Sequence, residues 1–155
     1  MQIWNEINTE DDIEKLGSLH DSVIVSVNYN SGCSEDEQGI SVWTEKDQHT
    51  ASVIIDNPWT GRIELFFIGV RFCVISGFTE NYSNEIHGCN IFFRTDLMGK
   101  TRDDRLIVWT DGSYTSLEKI YIDLHNKSDT LIIAEKLKWR FIKDIEEAEK
   151  CLQKE

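Results

Sequence analysis

A two-residue hydrophobic period recurs from residue 22 to about residue 142 and limits the fold more than any other feature. Residues 23–29 show it most clearly, because apolar side chains occupy every second position there, as in a strand with one buried face. The other strand-like stretches are 40–43, 51–56, 62–68, 70–75, 86–93, 105–110, 117–124, 130–134 and 137–142. Many short strands with turn residues between them predict an antiparallel curved sheet, a sandwich or a partly open barrel.

Three sites along this pattern are marked by turn or break residues. Residues 57–61 contain the only proline of the chain and end in a glycine, so a turn is expected there. Asp111-Gly112 favours a tight hairpin between 106–109 and 117–124, because such a turn needs positive φ. Gly69 is expected to interrupt the strand pattern at a bulge or bend.

Helical patterns lie before and after the strands. Thr9 can cap a short helix that Gly17 ends in a left-handed conformation, with acidic residues in its first turn. Residues 144–152 combine capping-box spacing with one apolar face. The sequence therefore predicts a mainly β chain of the α+β class, with a short N-terminal helix and a C-terminal helix, folded as a single domain over residues 1–155.

The charge of the chain is strongly acidic and unevenly distributed. It carries 16 basic and 28 acidic residues, a formal net charge of −12. Residues 1–60 hold 12 of the acids and only two bases, Lys15 and Lys46, so this part has a net charge of −10. Such a chain repels phosphate backbones, which argues against nucleic-acid binding. The charge either keeps the protein in solution or steers a basic protein partner onto it.

The four cysteines do not form a metal or redox motif. Cys33, Cys73, Cys89 and Cys151 include no C-x-x-C pair, and their spacings match no zinc framework. The beginning of the sequence lacks the basic and apolar regions of a signal peptide, and no apolar stretch is long enough to span a bilayer. We therefore expect reduced thiols, a cytoplasmic location and no membrane partner.

Leu19-His20-Asp21-Ser22 contains the side-chain types of a hydrolase triad. On an extended strand, adjacent side chains point to opposite faces, and the chain has no G-x-S-x-G elbow. We expect instead that Asp21 or Ser22 hydrogen-bonds the backbone where helix becomes strand, with His20 packed beside it. The alternative is a small enzyme or ligand-binding barrel that uses His20 and Asp21 in a cavity.

Other chemical motifs are weak. His87 and Cys89 would supply only two ligands of a metal site that needs three or four. Asp103-Asp104 lies between two arginines, as in a solvated turn, and no phosphate-binding glycine loop is present. The sequence therefore predicts no catalytic residues, no metal site and no cofactor.

Two tryptophans are surrounded by charge or turn residues. Trp43 lies between the acidic run 35–37 and Asp47, and Trp59 follows the proline of the 57–61 turn. Each is either an amphipathic surface residue or part of a protein interface, where aromatic residues are enriched. The candidate partner-binding residues are Glu35, Asp36, Glu37, Trp43, Asp47 and Trp59.

The run 19–24 and the later Phe67-Ile68-Gly69-Val70-Arg71-Phe72 resemble a group of small bacterial β-rich proteins with a Leu-His-Asp-Ser opening. Some members of that group look like immunity proteins of toxin systems, which bind a cognate toxin and block it. The resemblance implies a non-enzymatic inhibitor of a basic toxin and transfers no catalytic residue. Self-association through an exposed strand stays open as a third alternative.

Overall fold

The computed structural model describes residues 4–77, 84–86, 88, 90–97, 105–112 and 130–142. One α-helix lies in this part, α1 (Glu10–Leu16), together with a short 3₁₀ helix at Lys46–Gln48. The strands are β1 (Asn5–Ile7), β2 (Ser22–Asn30), β3 (Ser34–Glu35), β4 (Ser41–Val42), β5 (Thr50–Asn57), β6 (Gly61–Val74), β7 (Glu85–Ile86), β8 (Asn90–Arg94), β9 (Leu106–Thr110) and β10 (Leu131–Phe141).

The fold is mainly β, as predicted, and its principal sheet is a curled antiparallel half-barrel. The strand order is β7-β2-β5-β6-β10-β9-β8, and β1 pairs with β10 beside this path. The short strands β3 and β4 form a separate two-stranded hairpin. All the described strand pairs are antiparallel.

The order of the strands explains why the sheet curls. β7 and β8 lie at the two ends of the strand order, yet β7 ends at Ile86 and β8 begins at Asn90. In a flat sheet, six interstrand spacings of about 4.8 Å would separate them by roughly 29 Å. Four residues of extended chain reach only about 14 Å. The sheet must therefore bring its two ends towards each other.

The main core includes Phe67 and Trp109, whose ring centroids are 6.1 Å apart. A second apolar cluster lies on the opposite face of β8, β9 and β10. Its buried members are Leu97, Leu106, Val108, Leu131 and Ile133. Both clusters draw on β9, so this strand is buried on both faces, which explains its uninterrupted apolar sequence.

The predicted N-terminal helix is confirmed with its two end residues. Thr9 is the N-cap, and its side chain and that of Asp12 form a capping box with the backbone. Gly17 ends the helix with a φ of 78°. Leu16 is buried and Ile13 packs against the same core, which docks a helix too short to be stable alone. The predicted C-terminal helix at 144–152 lies outside the described residues.

The irregularity predicted at Gly69 is present, but it does not break the strand. β6 continues through Gly69, which has a φ of 68°, and its register with β10 shifts just after it, between Val70 and Phe72. Likewise, the stretches 130–134 and 137–142 belong to one strand, β10. At the shift β10 is also paired with β9, and β6 pairs with β10 before and after it, so the sheet stays continuous there.

The predicted hairpin at Asp111-Gly112 is not formed along β9. Both edges of β9 are occupied, because Thr110 pairs with Asn90 of β8 and with Leu131 of β10. The predicted partner strand, 117–124, lies outside the described residues.

Candidate functional site

The connection between β2 and β5 is an acidic and exposed segment of the described chain. We call residues 31–49 the acidic lobe; it contains the β3–β4 hairpin and the 3₁₀ helix. Five acidic residues and one lysine give it a net charge of −4; they are Glu35, Asp36, Glu37, Glu45, Asp47 and Lys46. All six are exposed.

Asp36 shapes the tip of the lobe. Its Oδ1 accepts hydrogen bonds from the backbone N–H groups of Gln38 and Ile40, both at 2.9 Å. Its backbone N–H donates to the carbonyl of Ile40, and Gly39 follows the turn with a φ of 76°. One of the four predicted acidic contacts therefore also has a structural role, typical of Asp in turns.

The base of the lobe is fixed by His49, whose role the sequence did not indicate. The Thr44 hydroxyl donates to the Ser31 carbonyl at 2.7 Å, so its oxygen is free to accept from His49 Nε2–H at 3.3 Å. The Tyr29 hydroxyl then donates to Nδ1 of the same ring at 3.1 Å. The carbonyl of His49 accepts from the backbone N–H of Val70 at 2.9 Å. These bonds attach the lobe to β2 and β6.

The lobe also exposes apolar side chains. Trp43, directly after β4, is 82% exposed, and Ile40 and Val42 are exposed as well. An indole ring beside carboxylates can pack against an apolar side chain or stack with a lysine or arginine of a partner. The arrangement suits binding to a surface that is basic and partly apolar.

Cys33 lies at the base of the lobe. Hydrogen bonds from the backbone and then the hydroxyl of Thr44 lower the pKa of its thiol below the ordinary value. Cys73, half-buried on β6, has a raised pKa because burial disfavours the thiolate. Both are free thiols.

The structure groups five of the six predicted contact residues and separates the sixth. Glu35, Asp36, Glu37, Trp43 and Asp47 all belong to the acidic lobe. Trp59 is 66% exposed in the turn beyond the other end of β5. Since β5 is eight residues long, its ends are about 23 Å apart. Trp59 is therefore not part of the same surface.

The alternative site at His20 and Asp21 differs from its prediction. Asp21 has a φ of 61° in a turn, so it is not on the strand, and its Oδ1 lies 2.8 Å from Nδ1 of His20. The two side chains are 55% and 50% exposed, so the expectation that they point apart and that His20 is packed is wrong. Ser22 is fully buried, and its hydroxyl oxygen accepts a hydrogen bond from the side-chain amide of Asn57. This burial argues against Ser22 as a nucleophile.

A groove of about 390 Å³ opens between α1 and the start of β8, and His20 is one of its lining residues. Leu19 and Ile91 form apolar parts of its wall, and Asn90 adds an amide. Of the two residues of the alternative site, only His20 lines this groove. Within the described ranges, no three His, Cys, Asp or Glu side chains are grouped as a metal site.

Comparison of the chain with protein-family models, with curated proteins and with solved structures finds no match. Among the described helices, none is long and apolar enough to cross a bilayer. The resemblance to toxin-immunity proteins therefore stays a prediction from the short sequence motifs.

Proposed function

We propose that the protein is a non-enzymatic binding protein whose acidic lobe captures a basic protein, and that it acts as an immunity-type inhibitor of a basic toxin. The observation that carries the proposal is the 82% exposure of Trp43 within a lobe of net charge −4. Trp is enriched among residues that dominate binding energies, and exposed carboxylates around it select a basic surface.

Long-range charge supports the same proposal. The net charge of −10 over residues 1–60 produces a field that attracts a basic partner and accelerates association. The His49 bonds to Tyr29 and Val70 hold the base of the lobe before a partner arrives. A preorganised lobe loses less conformational entropy on binding.

Co-expression with the product of the adjacent gene tests the proposal. Co-purification and protection from toxicity are expected. Trp43→Ala should raise Kd by about 30-fold, in the range of an interface hot spot. Trp59→Ala is the matched control, because it removes an exposed tryptophan at the other end of β5 and should leave Kd unchanged. Absence of both association and protection would overturn the immunity proposal.

Charge is tested by neutralising matched sets of carboxylates. Glu35→Gln with Glu37→Gln and Glu45→Gln should lower the association rate about ten-fold at low salt, and less at high salt. The control changes Glu6, Glu10 and Glu14 to Gln, which alters the net charge equally around β1 and α1. Equal slowing by both sets would show that total charge matters and the lobe does not.

We infer a second candidate, a small-ligand site, from the contact between His20 and Asp21 at the groove beside α1. A library of small metabolites would be screened by NMR with the wild type and with His20→Gln. A ligand that shifts the Ile91 and Gly17 resonances only in the wild type would support this candidate. If every compound caused the same resonance shifts in the two proteins, this candidate would be refuted.

A further inference from the structure

A second concave surface adjoins the acidic lobe. β5 begins at Thr50, which pairs with Ile68, so β6 extends past the end of β5 from Gly69 to Val74. The space beside this extension is a groove of about 380 Å³, which we call the mouth groove. Its lining residues are Tyr29, Val70, Arg71, Phe72, Cys73 and Ile75.

The mouth groove is apolar and has little net charge. Tyr29 is 44% exposed and Ile75 is 50% exposed, which is unusual for side chains that line a concavity. The guanidinium of Arg71 forms an ion pair with Glu135, so its charge is compensated within the wall. Burial raises the pKa of the Cys73 thiol, which keeps it neutral. A hydrophobic group would gain free energy by covering this surface.

The groove and the acidic lobe are joined by hydrogen bonds. Tyr29 lines the groove and donates to His49 of the lobe, and the His49 carbonyl accepts from Val70 of the groove. A partner bound to the lobe therefore lies next to an uncharged apolar recess. A volume of about 380 Å³ is near the lower end for ligand pockets, which suits one or two side chains.

We propose that the mouth groove receives a bulky apolar side chain of the basic partner, so that the recognised segment carries an apolar residue flanked by lysine or arginine. This inference rests on the proposed function of the acidic lobe. The lobe, with its net charge of −4, pairs with the basic flanks, and the recess takes the apolar residue between them. Charge steers association and apolar burial slows dissociation.

Three synthetic nine-residue peptides test the inference on the full-length protein at low ionic strength. One is lysine-rich with a central Leu-Phe pair, the second has Ala-Ala at the centre, and the third has glutamates in place of the lysines. We expect the first peptide to bind at least ten-fold more tightly than the second, and the third not to bind. The Val70 amide resonance should shift with the first peptide only.

Ile75→Asn should abolish the ten-fold advantage of the first peptide and leave binding of the second unchanged. Val23→Asn is the matched control, because Val23 is a similarly exposed apolar residue. It lies near the start of β2, whereas Tyr29 of the mouth groove lies near the end of that strand. The Val70 shift in the wild type provides a readout that does not depend on the stability of either variant.

The outcomes separate the two proposals. Equal affinity for the two lysine-rich peptides, with no Val70 shift, would overturn the groove inference and leave the lobe proposal standing. Tight binding of the glutamate peptide would overturn the assigned basic flanks. No binding of either lysine-rich peptide would count against the lobe proposal itself.

Discussion

The side-chain amide of Asn57 donates to the buried hydroxyl of Ser22 at 3.0 Å, across 35 residues of sequence. The same amide donates to the Ser18 carbonyl at 3.1 Å. The Asn57 Oδ1 accepts from the backbone N–H groups of Trp59 and Thr60. One buried asparagine thus joins the helix-to-strand junction to the β5–β6 turn.

Asn57→Ala should therefore lower the free energy of unfolding by about 2–4 kcal/mol, because it leaves several buried or half-buried groups without partners. Urea denaturation would measure the change. Asn28→Ala, at an exposed position of β2, is the control and should change stability by less than about 0.5 kcal/mol. A similar small change for Asn57→Ala would show that the junction does not depend on this side chain.

Gly69→Ala should destabilise the sheet for two separable reasons. Gly69 has a φ of 68°, and a Cβ there would lie 2.9 Å from Cγ of Glu135. Gly39→Ala isolates the conformational part, because Gly39 has a φ of 76° and no atom within 4 Å of the added Cβ. We expect about 1 kcal/mol for Gly39→Ala and about 2–3 kcal/mol for Gly69→Ala by thermal or urea unfolding.

The contribution of the clash at Gly69 can be measured with a second substitution. Glu135→Ala removes Cγ and Oε2, two of the three atoms that the new Cβ would meet, and leaves Cβ at 3.0 Å, so Gly69→Ala should cost less in that background. An unchanged cost would show that Cγ and Oε2 of Glu135 do not contribute to it.

The two described thiols should titrate on opposite sides of the ordinary cysteine pKa. The Thr44 hydrogen bonds favour the Cys33 thiolate, and burial disfavours that of Cys73. Alkylation by iodoacetamide, followed by peptide mass spectrometry across a pH series, should show half-maximal reaction at a lower pH for Cys33. Thr44→Val removes the hydroxyl bond to Cys33 and keeps the backbone one, so it should shift the Cys33 midpoint partly upwards. It also removes the hydroxyl bonds to Ser31 and His49. Coincident pH profiles for the two thiols would contradict this assignment.

Asp12 should make the N-terminal helix sensitive to acid. Hydrogen bonds from Lys15, from the backbone of Asn8 and from Thr9 hold the pKa of the Asp12 carboxyl well below its usual value. A lowered folded-state pKa contributes stability above the unfolded value of about 3.9, and this contribution is lost as the pH falls further. The Tm difference between wild type and Asp12→Ala should therefore be largest near pH 7 and narrow below about pH 4. A difference that grows in acid would contradict the predicted sign.

Local sequence signals predicted the elements that depend on neighbouring residues. The N-terminal helix has its cap at Thr9 and its end at Gly17, because capping bonds reach only a few residues. The alternation in β5 likewise follows from one buried face. In β2 the predicted face is wrong, because Val23, Val25 and Tyr29 are exposed while Ser22 and Ile24 are buried. A register shift between Ile24 and Ser26 then turns Val27 towards the core. Five of the six candidate contact residues were close in sequence, so their grouping in one lobe could be anticipated.

The remaining features depend on pairs that are distant in sequence. In the sequence Gly69 resembles a break between two strands. In the structure β6 pairs with β10 both before and after Gly69, and this pairing holds it together as one strand. Trp59 and Trp43 both have charged or turn residues as sequence neighbours, but the length of β5 separates them in the structure. The role of His49 depends on Tyr29 and Val70, which come from two other strands. Sequence periodicity contains no information about such register-dependent contacts.

The pairing of β10 with its neighbouring strands affects when the sheet can form during synthesis of the chain. β10 pairs with β6 along one edge, and with β9 and β1 along the other, so the two parts of the half-barrel are hydrogen-bonded to each other through it. It is also the last described strand to leave the ribosome. Until then, β6 and β9 lack a shared partner, and the unpaired N–H and C=O groups of their edges are open to other chains. We expect slow synthesis or delayed release at this strand to favour aggregation over folding.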